Sequence, residues 1–202
     1  NVSNKFIAMK RSFLLITVLF STLIVFGQDD YNEIQINKTK KDTVIEKFRG
    51  LNLYNLEKYQ LLVGIDNTSE KPEFRLLVFE NDSIIFKSKN SFGYCYSYNL
   101  YFFKKGSDYI ILGEAADESI WGYDIYLLDK EVRFIENIKY TGIQKFGEIN
   151  GPRSSLIPFV EKIRRNESNI IIELKDKEVY QLLKNCKDKV VKGKEQKIIL
   201  NL

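Results

Sequence analysis

The stretch from Tyr94 to Ile138 constrains the fold of this chain most, because it holds four apolar runs separated by short polar turns. Alternate residues of an extended strand point to opposite faces of a sheet. This alternation places on one face Tyr94, Tyr96, Tyr98, Leu100 and Phe102 of the first run, and Trp121, Tyr123, Ile125 and Leu127 of the third. Four such runs with short connections predict an antiparallel meander.

The same pattern extends over the rest of the chain. Runs of four to eight residues rich in Ile, Val, Tyr and Phe predict further strands at 33–36, 59–65, 74–80, 83–87, 156–164, 169–174 and 197–202. Apolar residues at three and four residue spacing predict short helices at 42–50 and 178–185. We expect a loop at 147–152 and a flexible connector at 187–196.

These elements predict a mainly β fold. A composition of 44% hydrophobic and 13% aromatic residues suffices to fill one core. We expect an antiparallel meander that forms a sandwich or an open barrel, with one or two short helices. A minimal propeller is the alternative, because turns recur about every 24 residues, although a chain of this length could build only three or four blades.

The segment Met9–Gly27 has the three parts of a secretory signal peptide. A basic start, an uncharged apolar stretch of about 15 residues and a final small residue are what signal peptidase and the export machinery read. In these features the segment resembles the signal peptides of bacterial exported proteins. The resemblance implies cleavage after Gly27 and a periplasmic or secreted protein. A transmembrane anchor is the alternative, but the stretch is short for a hydrocarbon core of about 30 Å.

The signal-like segment also sets the expected domain boundaries. Residues 1–8 precede Met9, and we expect them to be upstream sequence included in the translation. After cleavage, residues 28–202 would form a single β-rich domain. No cysteine directly follows the apolar stretch, which argues against a lipid anchor. We therefore expect no stable membrane attachment.

The charge balance argues against a nucleic-acid-binding protein. The formal charge is +4, but the segment before Gln28 holds three basic residues and no acid, which leaves 28 basic and 27 acidic residues. Affinity for nucleic acid requires a basic footprint that this balance does not supply. Residues 28–150 hold 16 basic and 20 acidic residues, and residues 151–202 hold 12 and 7. Either the molecule is polar along its length, with an acidic meander and a basic tail, or these are solvated faces that happen to differ.

The absence of histidine rules out several catalytic mechanisms and metal sites. The chain contains none, which excludes Ser-His-Asp and Cys-His catalysis and nearly all zinc sites. No glycine-rich phosphate loop precedes a predicted helix, which argues against nucleotide chemistry. We therefore predict no cofactor and no metal.

Carboxylates around Trp121 and Tyr123 are the remaining candidates for chemistry. They are Glu114, Asp117, Glu118 and Asp124. A carboxylate pair beside aromatic rings is the apparatus of a glycoside hydrolase. The same oxygens could hold calcium, although their spacing matches no dedicated calcium loop. The simplest interpretation is a solvated loop between two strands.

Cys95 and Cys186 are the only cysteines, and both lie in the part predicted to be exported. An even number of cysteines in an oxidising compartment favours a disulfide. Closing a loop of about 90 residues would stabilise the fold by about 4 to 5 kcal/mol in the chain-entropy model. Cys95 could equally be a buried free thiol, because it alternates with the tyrosines of its strand.

The density of tyrosine near the carboxylates predicts a binding surface. Most of these rings belong in the core, yet tyrosine also offers contact area at low entropic cost. We assign to the partner-binding surface Tyr96, Tyr98, Glu114, Asp117, Glu118, Trp121, Tyr123 and Asp124.

The chain loosely resembles small exported immunity and inhibitor proteins. The resemblance implies a non-enzymatic protein that recognises a protein or peptide partner, for example a toxic enzyme with a basic active site. One alternative is a cell-envelope glycan bound through Trp121 and the tyrosines. The other is carboxylate-dependent hydrolysis through Glu114, Asp117 or Glu118, which would need two carboxylates within about 5 to 10 Å of each other in a cleft.

Overall fold

Strands make up most of the chain. The computed structural model describes residues 30–68, 72–89, 97–183 and 187–202, of which 73% lie in strands and 4% in helices. Residues 31–202 form one compact unit. The prediction of a mainly β fold is confirmed.

The strands are numbered in chain order. The first nine are β1 (Asp30–Ile34), β2 (Lys38–Ile45), β3 (Phe48–Leu56), β4 (Tyr59–Asp66), β5 (Glu73–Glu80), β6 (Ser83–Lys87), β7 (Ser97–Lys105), β8 (Asp108–Ala116) and β9 (Ile120–Leu128). The others are β10 (Val132–Ile138), β11 (Tyr140–Phe146), β12 (Ile149–Ser154), β13 (Val160–Arg165), β14 (Asn169–Leu174), β15 (Glu178–Leu182), β16 (Asp188–Lys192) and β17 (Lys197–Asn201). The described residues also include two 3₁₀ helices, Ile157–Phe159 and Gly193–Glu195.

The largest sheet is a nearly closed antiparallel barrel. Its strand order is β10-β9-β8-β7-β1-β13-β14-β17, and the end strands β10 and β17 approach each other. The predicted meander is confirmed, because β7 to β10 are neighbours in chain order. Closing a sheet in this way removes most of its unpaired edge.

A second sheet, with the order β2-β3-β4-β5-β6, is also a meander. The helix predicted at 42–50 is wrong, since these residues form the β2–β3 hairpin. Glu46 in the turn has a φ of 53°, and Val44 and Ile45 pair with Arg49 and Phe48. Branching at Cβ favours extended backbone, and the neighbouring strand supplies a partner that sequence spacing does not reveal.

A third sheet has the order β12-β11-β15-β16, and three predictions for this region are wrong. The described part of the predicted 178–185 helix contains strand β15, the predicted 147–152 loop contains the start of β12, and the predicted 187–196 connector contains β16. Val179 is buried whereas Leu183 is exposed, so the apolar residues at helical spacing share no buried face. Residues 178–182 form a strand because they pair with β11, which is distant in the sequence, and with β16, which is rich in polar residues.

Two hydrophobic cores lie on the two sides of β7, β8 and β9. The barrel interior holds Tyr123, Ile125 and Leu127 of β9 together with side chains of β8, β13, β14 and β17. The other core holds Tyr98, Leu100 and Phe102 of β7 and packs against the five-stranded sheet. These six residues lie on the faces that the alternation predicted. The layers are a barrel and a sheet packed on it, and the described strands do not form a ring of separate blades as in the propeller alternative.

Candidate functional site

The predicted partner-binding residues fall into three groups, and two of these are buried. Strands β8 and β9 are covered on both faces, so alternate side chains are enclosed whichever way they point. Glu114 and Tyr123 point into the barrel, whereas Tyr98 and Asp124 lie between the barrel and the five-stranded sheet. Tyr96 lies outside the described residues.

Glu114 is enclosed by hydroxyl groups. Its carboxylate accepts hydrogen bonds from the hydroxyls of Tyr101, at 3.2 Å, and Tyr123. The Tyr123 oxygen in turn accepts a bond from the Leu156 backbone N–H at 2.6 Å and lies 3.3 Å from Ser155 Oγ. Burial, and then the nearby Glu114 charge, raise the pKa of Tyr101 to about 12 and raise that of Tyr123 further. Both tyrosines therefore remain protonated donors at neutral pH.

Asp124 has a similar environment on the opposite face of the sheet. Its Oδ2 accepts bonds from the hydroxyls of Tyr98 at 2.7 Å and Tyr126 at 3.3 Å, and these two hydroxyls lie 2.9 Å apart. Burial, together with the charges around each ring, raises the pKa of both tyrosines. A buried carboxylate with charge-assisted hydrogen bonds rigidifies a core. These two clusters hold the strands together.

The third group lies at the turn between β8 and β9. Asp117 Oδ1 accepts bonds from the Trp121 indole N–H at 2.9 Å and from the Ser119 N–H at 3.0 Å. Glu118 is exposed, and Trp121 is partly exposed. The prediction that Trp121 shares a face with Tyr123 is wrong, because Trp121 packs against the core that contains Tyr98. A bulge at this end of β9, where Gly122 has a φ of 142°, shifts the alternation by one residue.

The placement of the carboxylates limits the chemistry they can perform. Glu114 and Asp124 occupy opposite faces of one sheet, so they cannot act together on a single bond. Among the described residues, no three Asp, Glu or Cys side chains come together as a metal site. Cys95 and Cys186 lie outside the described residues, and the disulfide stays a prediction.

A groove at the edge of β7 is a different candidate site. Strand β1 pairs with only the second half of β7, where Asn32, Glu33 and Ile34 oppose Lys104, Phe103 and Phe102. The chain then leaves the barrel through residues 35–37 and enters β2. On that side, residues 97–101 of β7 have no strand partner in the part of the chain that the structure describes.

The backbone of this free edge is turned toward the groove. The N–H of Leu100 donates to the hydroxyl of Tyr54, at 3.4 Å, and so points away from β8. Because alternate residues of a strand direct their N–H and C=O groups to the same side, those of Tyr98 face the groove as well. The side chain of Lys38 spans the groove and donates to Asn99 Oδ1 at 3.0 Å.

The groove has a mixed lining and a volume of about 510 Å³. Its polar side chains are those of Glu33, Gln35, Asn37, Lys38, Asn99 and Tyr101, and its apolar floor includes Ile34, Ile36, Tyr54, Leu100 and Phe102. One acidic and one basic side chain give it no strong charge. An extended chain could therefore be held by backbone hydrogen bonds and apolar contacts.

The sequence reasoning did not find this groove. Alternation indicates a strand near residues 33–36, but not which strand it joins or after how many residues the pairing stops. Its polar residues, such as Asn37 and Asn99, carry no motif.

Comparison with known proteins leaves the function open. The chain matches no protein-family model, no curated protein and no solved structure. Over the residues described, no helix has the length and apolar character needed to cross a bilayer.

Proposed function

We propose that this chain is an exported, non-enzymatic binding protein that recognises a protein or peptide partner, and that the groove beside β7 receives an extended segment of that partner. The observation that carries the proposal is the unpaired edge at residues 97–101, next to a groove with an apolar floor. The signal-like segment Met9–Gly27 supports export. An immunity or inhibitor protein is one kind of protein that would work in this way.

Strand addition explains how such a groove would bind. An extended peptide at a free edge forms backbone hydrogen bonds, and its alternate side chains enter pockets on the two sides of the sheet. Each hydrogen bond contributes about 0.5 to 1.5 kcal/mol net. Since the Leu100 N–H is already donated to the Tyr54 hydroxyl, this edge offers a peptide only the backbone groups of Tyr98 and the Leu100 carbonyl, so contacts with the floor must add to the affinity. We expect dissociation constants in the micromolar range, about 1 to 100 µM.

The structure favours this proposal over the glycan and hydrolase alternatives. A glycan site would use the face of Trp121, but that ring packs against the core below it and its N–H is donated to Asp117. A hydrolase would need two carboxylates in a cleft, but Glu114 is buried among tyrosine hydroxyls, which leaves only Asp117 and Glu118 of the predicted set. The partner-binding role of the exposed residues Asp117 and Glu118 stays a prediction.

Peptide selection tests the proposal. Random peptides of about twelve residues displayed on phage are selected on the purified protein, and the binding of the selected sequences is measured by fluorescence polarisation. Asn99→Arg places a large cation in the groove beside Lys38, and we expect it to weaken binding at least about tenfold. Asn52→Arg is the matched control, because Asn52 is also a partly exposed strand asparagine but lies outside the groove. The control should retain binding within about twofold.

Two results would contradict the groove as the binding site. One is that no peptide is enriched, or that selected peptides bind the Asn99→Arg and Asn52→Arg variants equally well. The other is loss of binding in Trp121→Ala with full binding in Asn99→Arg. That second result would assign recognition to the β8–β9 turn, as the sequence predicted.

A further inference from the structure

The two edges of the five-stranded sheet differ in how they are protected from other strands. The β2 edge carries Lys38, Lys40 and Lys41. Charged side chains on an edge, lysine above all, prevent pairing with another chain. The β6 edge has no charged residue between Asp82 and Lys87. In the described part of the chain, no strand pairs with β6 on its outer side.

Strand β6 exposes apolar side chains that a folded monomer would normally cover. A bulge opposite Val78 and Phe79 leaves Ile85 without a partner in β5, and as a result both Ile84 and Ile85 are exposed, by 50% and 44%. Regular alternation would have buried one of them. Adjacent exposed apolar residues on a sheet edge are typical of an association surface.

Aromatic contacts connect β6 with the barrel. Phe86 of β6 packs edge-on against Tyr126, with ring centres 5.9 Å apart, and Tyr126 packs in the same way against Phe134 of β10 at 5.8 Å. Phe134 is 39% exposed. Because Tyr126 between the two rings is fully buried, Phe134 is exposed separately from Ile84 and Ile85.

The charges at the two ends of β6 indicate which partner strand would fit. Exposed Asp82 precedes the strand and Lys87 ends it, so the two ends carry opposite charges. Lys87 also pairs with Asp66 at 2.8 Å within the chain, but it remains 47% exposed. In an antiparallel pair of identical strands, the acidic start of one lies opposite the basic end of the other. The strand is thus complementary to itself.

We infer that the β6 edge is a self-association surface, at which a second copy of this chain pairs β6 with β6 in antiparallel orientation about a two-fold axis. The pairing joins the two five-stranded sheets into one sheet of ten strands and covers Ile84 and Ile85 in both copies. Such an isologous contact closes on itself and yields a dimer and not a filament. It is independent of the peptide groove, which lies at the edge of β7.

Sedimentation analysis of the purified protein tests this inference. A single strand pair with two exposed apolar side chains from each copy is a small interface, so the dimer should form reversibly at micromolar concentration, about 1 to 100 µM. Ile85→Lys should raise the concentration at which half of the protein is dimeric at least about tenfold. Val44→Lys is the matched control, because Val44 is 70% exposed on the lysine-rich β2 edge of the same sheet. The control should dimerise like the wild type.

A second variant shows whether loss of dimerisation in the first comes from a folding defect. Ile84→Lys changes the neighbouring side chain, and circular dichroism with thermal melting shows whether either variant retains the native fold. A wild-type protein that stays monomeric up to about 200 µM would overturn the inference. The same conclusion follows if a folded Ile84→Lys or Ile85→Lys variant dimerises as well as Val44→Lys does.

Discussion

Replacing Tyr123 by phenylalanine tests whether the Glu114 cluster holds the barrel together. The change removes one oxygen and keeps the ring, which is fully buried among Ile125, Leu127 and other core residues. The lost oxygen donates to the Glu114 carboxylate and accepts the Leu156 N–H. A hydrogen bond to a charged group contributes about 1.5 to 3 kcal/mol, and a buried N–H without a partner costs about 1 to 3 kcal/mol.

Together these effects predict that Tyr123→Phe lowers the free energy of unfolding by about 2.5 to 6 kcal/mol, since Glu114 keeps only the longer bond from Tyr101. Urea denaturation followed by tryptophan fluorescence measures the loss, with an unchanged m-value as the sign of an intact native state. Tyr180→Phe is the control, because the Tyr180 hydroxyl makes one neutral bond, to the Gly151 carbonyl at 3.0 Å. It should cost only about 1 kcal/mol. Equal losses in the two variants would refute the structural role of the cluster.

Two further predictions concern stability. Burial raises the pKa of Asp66, but the ion pair with Lys87 and other hydrogen bonds outweigh this and lower it to about 2, from a usual value of 3.8. The shift stabilises the fold by about 2 kcal/mol above pH 4, and this contribution disappears as the pH falls from 4 to 2. Urea titrations across this range should show the step in the wild type and a smaller one in Asp66→Asn. Gly113→Ala should destabilise by about 2 kcal/mol or more, because the added methyl group would overlap the Tyr98 hydroxyl. Gly106→Ala, in open space at a φ of 59°, should cost only about 1 kcal/mol, and equal melting temperatures for the two variants would contradict the overlap.

Local sequence determined which residues form strands in the centre of the chain. The alternation in β7 and β9 placed Leu100, Phe102, Ile125 and Leu127 on their correct faces, because side-chain direction in a strand depends only on the parity of the position. The same rule failed for Trp121, where one bulged residue reverses the parity. The rule of helical spacing failed at 178–185, where three apolar residues were too few to distinguish a helix from a strand.

Only the tertiary structure decided which of the predicted site residues are exposed. The carboxylates and tyrosines at Glu114, Tyr123, Asp124 and Tyr98 resemble a binding surface when one sheet is considered by itself. The five-stranded sheet covers one face of that sheet and the closing barrel covers the other, so these side chains became interior hydrogen-bonding clusters. Nothing within a strand's own sequence specifies what packs against it.

The sequence by itself therefore determined the β class, the central meander and the chemistry that a chain without histidine lacks. Among the described residues, the tertiary structure decided which backbone has no strand partner, at residues 97–101 beside the groove and along the outer side of β6. The first depends on where β1 stops pairing with β7, and the second on which strand ends the sheet. Both are set by long-range contacts and not by neighbours in the chain.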